Sequence, residues 1–331
     1  MRAMRLDAQE PVERRPLNLV TIDVPPVAAD ELLVRVSACA ICRTDLHVIE
    51  GELPLVRSPL VPGHQIVGRV ERVGGEVRGL GVGDRVGVAW LRRTCGRCRF
   101  CMLGRENLCD AAEYTGWTAD GGYADCAVVP AGFAYAIPDA FDDVDAAPLL
   151  CAGIIGYRAL KLTAVAPGGR LGIYGFGSSA HVTMQIARAR GIDVYVATRG
   201  SARREQARAL GAAWAGDIGE RMPSRVDGAI VFAPSGDVVP VALADLDRGG
   251  TLALAGIHMS RIPALDYGAL FDERVVRTVT ANTRADGAEL LDEAARIPVR
   301  PTVTRFRLEA ANDALIALKH GEIAGTGVLV P

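Results

Sequence analysis

The stretch CGRCRFCMLGRENLC sets Cys95, Cys98, Cys101 and Cys109 in the spacing C-x2-C-x2-C-x7-C. Four thiols this close can hold one metal, because thiolate suits zinc and iron–sulfur chemistry alike. A bacterial ferredoxin run continues x3-C-P after its third cysteine; here the gap is seven and Asp110 follows Cys109. A second group of chemically competent residues is scattered. ACAICRTDLHVIEG carries Cys42, Thr44, Asp45 and His47, VPGHQIVG carries His64, and PLLCAGIIGY carries Cys151. Taken singly, a lone cysteine is an inert buried residue and a lone histidine a satisfied core residue.

The third feature is GFGSSA, a G-x-G-x-x-A with Gly175, Gly177 and Ala180. Such a turn binds a dinucleotide only between a strand and a helix, and GGRLGIYGFGSSAHVTMQIARARG reads as that context. Gly175 permits the tight turn, Gly177 lets backbone approach a pyrophosphate, and Ala180 lets the helix pack close. Phe176, Ser178 and Ser179 complete the candidate phosphate cradle at the helix N-terminus. An acid about 20 positions on would bind the ribose 2′-OH of NAD. Thr198 and Arg199 stand there instead, and Asp193 opens the strand at its wrong end. An arginine in place of the acid favours a 2′-phosphate, hence NADP(H) over NAD(H).

Positioning these residues takes more than one core. The chain has 331 residues, half of them hydrophobic and 37 of them glycine, a length that suits two domains. Residues 18–37 read as two strands around a Pro-rich turn, 63–90 as a curved, barrel-like β-region, and 121–130 as a further strand. From about residue 168 strands and helices alternate. Strands are expected at 193–199, 226–234 and 250–256, and helices at 201–211 and 236–249. This is the pattern of an α/β parallel sheet. A strand at 275–281, a helix at 286–297 and a tail with a helix at 310–321 follow. Net charge is -2 from 37 basic and 39 acidic residues, which does not suggest a nucleic-acid or anionic-membrane partner. No apolar run reaches the ~18 residues of a spanning helix, and the charged N-terminus lacks an apolar signal core. A soluble, cytoplasmic protein is therefore expected. Its eight cysteines are read as metal ligands and buried thiols, not disulfides.

The segments CRTDLH, GHQIVG, GVGDRVGV, the four-thiol stretch, DGGYADC, CAGIIGY and GIYGFGSSAH occur in one order along essentially the whole chain. In that order and spacing the chain resembles the zinc-dependent medium-chain alcohol dehydrogenases. The resemblance implies a GroES-like β-rich catalytic domain, residues 1–151 and 283–331, and a Rossmann domain with a doubly wound parallel sheet, residues 152–282. It implies two zincs per chain. Cys42, His64 and Cys151 would hold the catalytic zinc with an open fourth position, the Cys2His set of alcohol dehydrogenase. Cys95, Cys98, Cys101 and Cys109 would hold a structural zinc, since four thiolates leave no place for substrate. Asp45 would fix the tautomer of His64, Arg43 would pair with the cofactor pyrophosphate, and Thr44 would take the alcohol proton and pass it, through the cofactor ribose, toward His47. Cys39 and Cys126 are left over as buried, unreactive thiols. Trp90 and Tyr114 stand where relatives place aromatics beside the substrate, which would favour a slim primary alcohol or an aromatic aldehyde. A dimer or tetramer is implied by the resemblance alone.

Two positions depart from the family's pattern. Gln65 follows His64 where a glutamate is usual, and GEIAGTGVLV lacks an arginine that many relatives use to grip the pyrophosphate. The leading expectation is NAD(P)-linked interconversion of alcohols with aldehydes or ketones. A polyol or sugar dehydrogenase would want a more polar pocket than Trp90 and Ile155 suggest. A catalytically dead zinc module would not need Thr44 and His47 beside a complete ligand set.

Overall fold

Valine-rich, glycine-punctuated sequence forms the β-framework that carries the scattered ligands. In the computed structural model, which describes residues 1–297 and 299–331, Glu31–Ala40 is the central strand of a seven-stranded sheet. It pairs antiparallel with Gln65–Val73 and with Cys126–Pro130, while Arg85–Val88 and Ala134–Ala136 extend the sheet on one side. On the other side lie Thr326–Val330 and Val303–Arg307 from the far end of the chain. Register breaks between Leu33 and Val34 and between Val36 and Ala38 mark irregularities in the Glu31–Ala40/Gln65–Val73 pairing. Such bulges increase twist and curvature. Leu32, Val34, Ile66, Val86, Tyr123, Leu315 and Leu329 share the core of this unit. The compact unit comprises residues 1–151, 281–296 and 300–331.

Residues 152–280 and 297–299 form the second compact unit. Its six strands are all parallel, in the spatial order Trp214–Gly216, Asp193–Ala197, Arg170–Tyr174, Val226–Val231, Leu246–Leu254, Val275–Thr278. By sequence that is 3-2-1-4-5-6, the doubly wound dinucleotide-binding order. Ile173, Val196, Ile230 and Ala253 have no exposure to solvent, because strands covered on both faces need no polar alternation.

Several elements differ from the sequence expectation. The helix expected at 236–249 stops at Asp245. Leu246 instead starts the next strand by pairing with Val226, and Asp245 is buried as acceptor for the Tyr174 hydroxyl at 2.8 Å and for Arg221 at 2.5 Å. A tertiary anchor thus ends a segment whose local sequence would continue as helix. Trp214–Gly216, Arg43–Glu50 and Ala152–Thr163 were not foreseen as elements. No helix among the described residues is long and apolar enough to cross a membrane.

Candidate metal centres and active site

Cys42 is the N-cap of the helix Arg43–Glu50. Its sulfur accepts from the Thr44 N–H at 3.3 Å, and Asp45 reaches back to accept from the Cys42 N–H at 2.8 Å. This is a capping box in which a sulfur replaces the usual hydroxyl. The other Asp45 oxygen lies 3.1 Å from His64 Nδ1. That contact assigns the Nδ1–H tautomer and turns Nε2 toward Cys42 Sγ, 3.4 Å away. His64 is fully buried and follows Gly63, whose φ is +96°. A Cβ on Gly63 would lie 2.3 Å from the Tyr123 ring, so only glycine delivers His64 by this path. Cys151 arrives from the end of the turn Ala147–Leu150.

The donor atoms of Cys42, His64 and Cys151 all lie within 4.8 Å of one another. Zinc bonds of about 2.3 Å to sulfur and 2.0 Å to nitrogen put tetrahedral donors about 3.5–3.8 Å apart, so the set fits that ion. Burial pulls the His64 imidazole down, but Asp45 and Cys42 outweigh it and push it up to about 10. A hydrogen bond with Cys151 draws the Cys42 thiol well below its ordinary value, while that bond and burial drive Cys151 well above. Burial also raises Asp45. These groups share protons that a bound cation replaces, as ligation requires.

Cys95, Cys98, Cys101 and Cys109 converge in the same way. Cys98 and Cys101 sulfurs are 3.5 Å apart, and Cys95 and Cys101 sulfurs 3.9 Å, which fits a closed tetrahedral set. Backbone N–H groups of Arg97 and Cys98 bring the Cys95 thiol down to about 6. The four-thiol stretch is anchored by Glu106, whose carboxylate accepts from the Arg284 backbone N–H at 3.0 Å. The eight cysteines form no disulfide among the described residues. Cys39 and Cys126 are buried, and burial raises both thiols.

An aromatic wall stands beside the first centre. Trp90 meets His64 edge-on at 5.0 Å between ring centroids and stacks on Tyr114 at 5.1 Å. Trp117 lies parallel to Trp90 at 5.8 Å, its indole N–H held by the Pro54 carbonyl. Val48, Leu53, Leu55, Leu60 and Ala281 complete this apolar cluster. The sequence reading named Trp90 and Tyr114 and missed Trp117, whose signal was its place three residues beyond Tyr114. Thr44 is almost buried on the first turn of the Cys42-capped helix, and His47 follows one turn later. His47 Nδ1 pairs with Glu52, a residue also missed. Arg43 is exposed at the first helical position. Gln65 is fully buried; its Nε2 donates to the Ala40 carbonyl at 3.1 Å, and its Oε1 has no hydrogen-bond partner among the described residues.

In the second unit, Arg170–Tyr174 ends in Gly175 at φ +91°, and Ser178–Ala189 is the helix that follows. A Cβ on Gly177 would meet nothing within 4 Å among the described residues. Phe176 is buried, and Ala180 has no exposure where the helix packs down. Ser178 and Ser179 form its first turn. Thr198 is buried with its N–H on the Gly216 carbonyl at 3.0 Å. Arg199 and Arg203 are exposed, whereas Arg204 is bound to Asp217 at 2.9 Å.

Residues 28–139 match the family described as Alcohol dehydrogenase GroES-like domain, and residues 180–296 the family described as Zinc-binding dehydrogenase. The chain is 52% identical over 336 residues to the "Probable alcohol dehydrogenase AdhA" of Mycobacterium tuberculosis (strain CDC 1551 / Oshkosh), covering 100% of this chain and 97% of that protein. It is 35% identical over 325 residues to an alcohol dehydrogenase of Geobacillus stearothermophilus, covering 96% of each. The structure of a cobalt- and zinc-bound thermostable alcohol dehydrogenase from Pyrobaculum aerophilum superposes with a TM-score of 0.89 at 28% identity, covering 100% of this chain and 99% of that one. With an open Cys-His-Cys set and a closed four-cysteine set on this fold, the chain belongs to the zinc-containing medium-chain alcohol dehydrogenases.

Proposed function

We propose that this alcohol dehydrogenase oxidises slim primary alcohols, or reduces the matching aldehydes, with preference for NADP(H). The observation that carries the reading is the open three-donor set of Cys42, His64 and Cys151, with the Thr44 side chain on the helix that Cys42 caps. When bound, zinc supplies Lewis acidity that lowers the pKa of a hydroxyl, and the nicotinamide nucleotide supplies the hydride acceptor. Asp45 holds His64 in the ligating tautomer. Thr44 accepts the substrate hydroxyl proton and hands on its own, because its hydroxyl both donates and accepts. His47 takes that proton on an imidazole nitrogen.

Gly175, Phe176, Gly177, Ser178, Ser179 and Ala180 form the pyrophosphate turn. Thr198 and Arg199 receive the adenosine ribose, with Arg199 on its 2′-phosphate. The apolar wall of Trp90, Tyr114 and Trp117 favours a flat or slender substrate and disfavours a polyol, whose hydroxyls would lose water without partners. Self-association is part of this reading. Val275–Thr278 is an edge strand with every residue exposed, and Ile257, Ile262, Tyr267 and Phe271 nearby in sequence are exposed as well. The thiolate sites suit a reducing cytoplasm. A spectrophotometric screen of alcohols, aldehydes and polyols with both cofactors tests the reading. The expected outcome is turnover of primary or aromatic alcohols with a higher kcat/KM for NADP(H). An equal or better kcat/KM with NADH, or preference for a polyol, would overturn the finer assignments.

A further inference from the structure

The helix Arg43–Glu50 ends at Gly51, whose φ of +96° turns the chain back on itself. The Leu53 N–H donates to the His47 carbonyl at 2.9 Å. Gln9 Nε2 donates to the carbonyls of Val48 at 2.6 Å and Leu53 at 2.7 Å, and Gln9 Oε1 accepts from the Leu55 N–H at 3.4 Å. Residues 51–55 are therefore folded onto the helix end by backbone-directed bonds that do not use the Glu52 side chain. The fold-back brings Glu52 Oε2 to His47 Nδ1. His47 is mostly buried, its side chain 12% exposed, whereas that of Glu52 is 47% exposed.

We infer that Glu52 is a positioning residue for alcohol oxidation, holding His47 as the Nδ1–H tautomer so that Nε2 is the proton acceptor. The inference rests on the Thr44-to-His47 proton transfer proposed above. Neutral imidazole carries one N–H, and a carboxylate at Nδ1 decides where it stays. The same carboxylate stabilises the imidazolium formed when Nε2 accepts a proton. In balance, the proton that leaves the substrate hydroxyl by way of Thr44 ends on His47 Nε2. It is released from there to water, and Glu52 remains ionised throughout.

Among the described residues, the neighbouring carboxylates have other partners. Asp45 is bound to His64 and to the Cys42 N–H. Glu50 is bound to Lys319 at 2.8 Å and to the Val12 N–H at 2.8 Å, and Glu13 also binds Lys319. Glu10 pairs with Arg14, and Arg43 is exposed on the first turn.

The test uses the zinc-loaded enzyme with nitrogen-15-labelled histidine. In the parent, the Nδ1 and Nε2 shifts of the neutral His47 ring should report Nδ1–H. Glu52→Gln should weaken the hold on Nδ1–H and let part of the Nε2–H tautomer appear. The rate of oxidation should fall about three- to tenfold, since less of His47 presents a free Nε2 lone pair. Glu52→Ala should add the Nε2–H tautomer, and Glu52→Asp should recover most of the rate. An unchanged tautomer and oxidation rate in Glu52→Gln and Glu52→Ala would overturn the inference. A parent whose rate and pH profile survive His47→Gln would instead overturn the relay, while the nitrogen shifts still decide whether Glu52 fixes the ring. Loss of zinc or of KM for alcohol in Glu52→Gln, with the His47 spectrum unmoved, would reduce Glu52 to a structural residue.

Discussion

Cys42 and Thr44 stand two residues apart at one helix start and do different work. Cys42 is held as a cap and a donor, its sulfur taking the Thr44 N–H. The Thr44 side chain is no ligand, so removing its hydroxyl should separate proton transfer from metal binding. We expect Thr44→Ala to keep a full complement of zinc by elemental analysis. Its oxidation rate should fall about two to four powers of ten, the range for a positioned proton-transfer group. Thr44→Ser should retain most activity. Oxidation at the parent rate by zinc-replete Thr44→Ala would remove Thr44 from the mechanism. At this scale the sequence was most legible, because donor chemistry follows residue type: sulfur and imidazole suit zinc wherever they stand. Glu52 was not legible in the same way. Its type is ordinary for a surface loop, and only the turn at Gly51 brings it to His47.

Elements decide whether the right residue types reach the right place. His64 depends on a backbone path open only to glycine, since Gly63 is in the left-handed region and a Cβ there would collide with the Tyr123 ring. Gly63→Ala should destabilise the protein by about 1–3 kcal/mol in denaturant unfolding. It should also lower zinc occupancy toward one per chain. Unchanged stability and two zincs would show that the path can relax. The four-thiol stretch has the opposite dependence. Its ligands fall within fifteen consecutive residues, Cys95 to Cys109, so the set forms locally and its loss should stay local. We expect Cys98→Ser to lower the melting temperature while folded protein keeps zinc at Cys42, His64 and Cys151. A stable Cys98→Ser variant with no turnover would give the four-thiol stretch a direct part in the chemistry. Helix Arg43–Glu50 shows what the sequence reading lacks at this scale. CRTDLH carries a capping box, but its cap is a cysteine, which hides the usual hydroxyl or carboxylate signature.

At the scale of the molecule, each unit leaves a different task to its edge. The seven-stranded sheet recruits Val303–Arg307 and Thr326–Val330 from the end of the chain, next to a strand near its beginning. The six-stranded sheet ends on Val275–Thr278, with Val275 and Val276 exposed. An exposed apolar edge strand is a template for pairing with another chain. Val276→Lys should therefore reduce the mass of the assembly in sedimentation at micromolar concentration, with turnover per folded chain as a control. A parent enzyme that sediments as a monomer would end the self-association reading. The sequence by itself determined the donor types, the four-thiol spacing and the strand–glycine–helix turn, because each is fixed by local chemistry or by neighbours a few residues apart. The alternation of strands and helices likewise determined a parallel sheet. Only the tertiary structure decided that Cys42, His64 and Cys151, separated by 22 and 87 positions, meet within 4.8 Å. It also decided that Trp117 stacks on Trp90, that Asp245 ends its helix and that Glu52 turns back to His47. Residue type does not encode these contacts: the zinc donors, the tryptophan pair and the Asp245 anchor meet because each sheet brings distant backbone together, and Glu52 meets His47 because the chain reverses at Gly51.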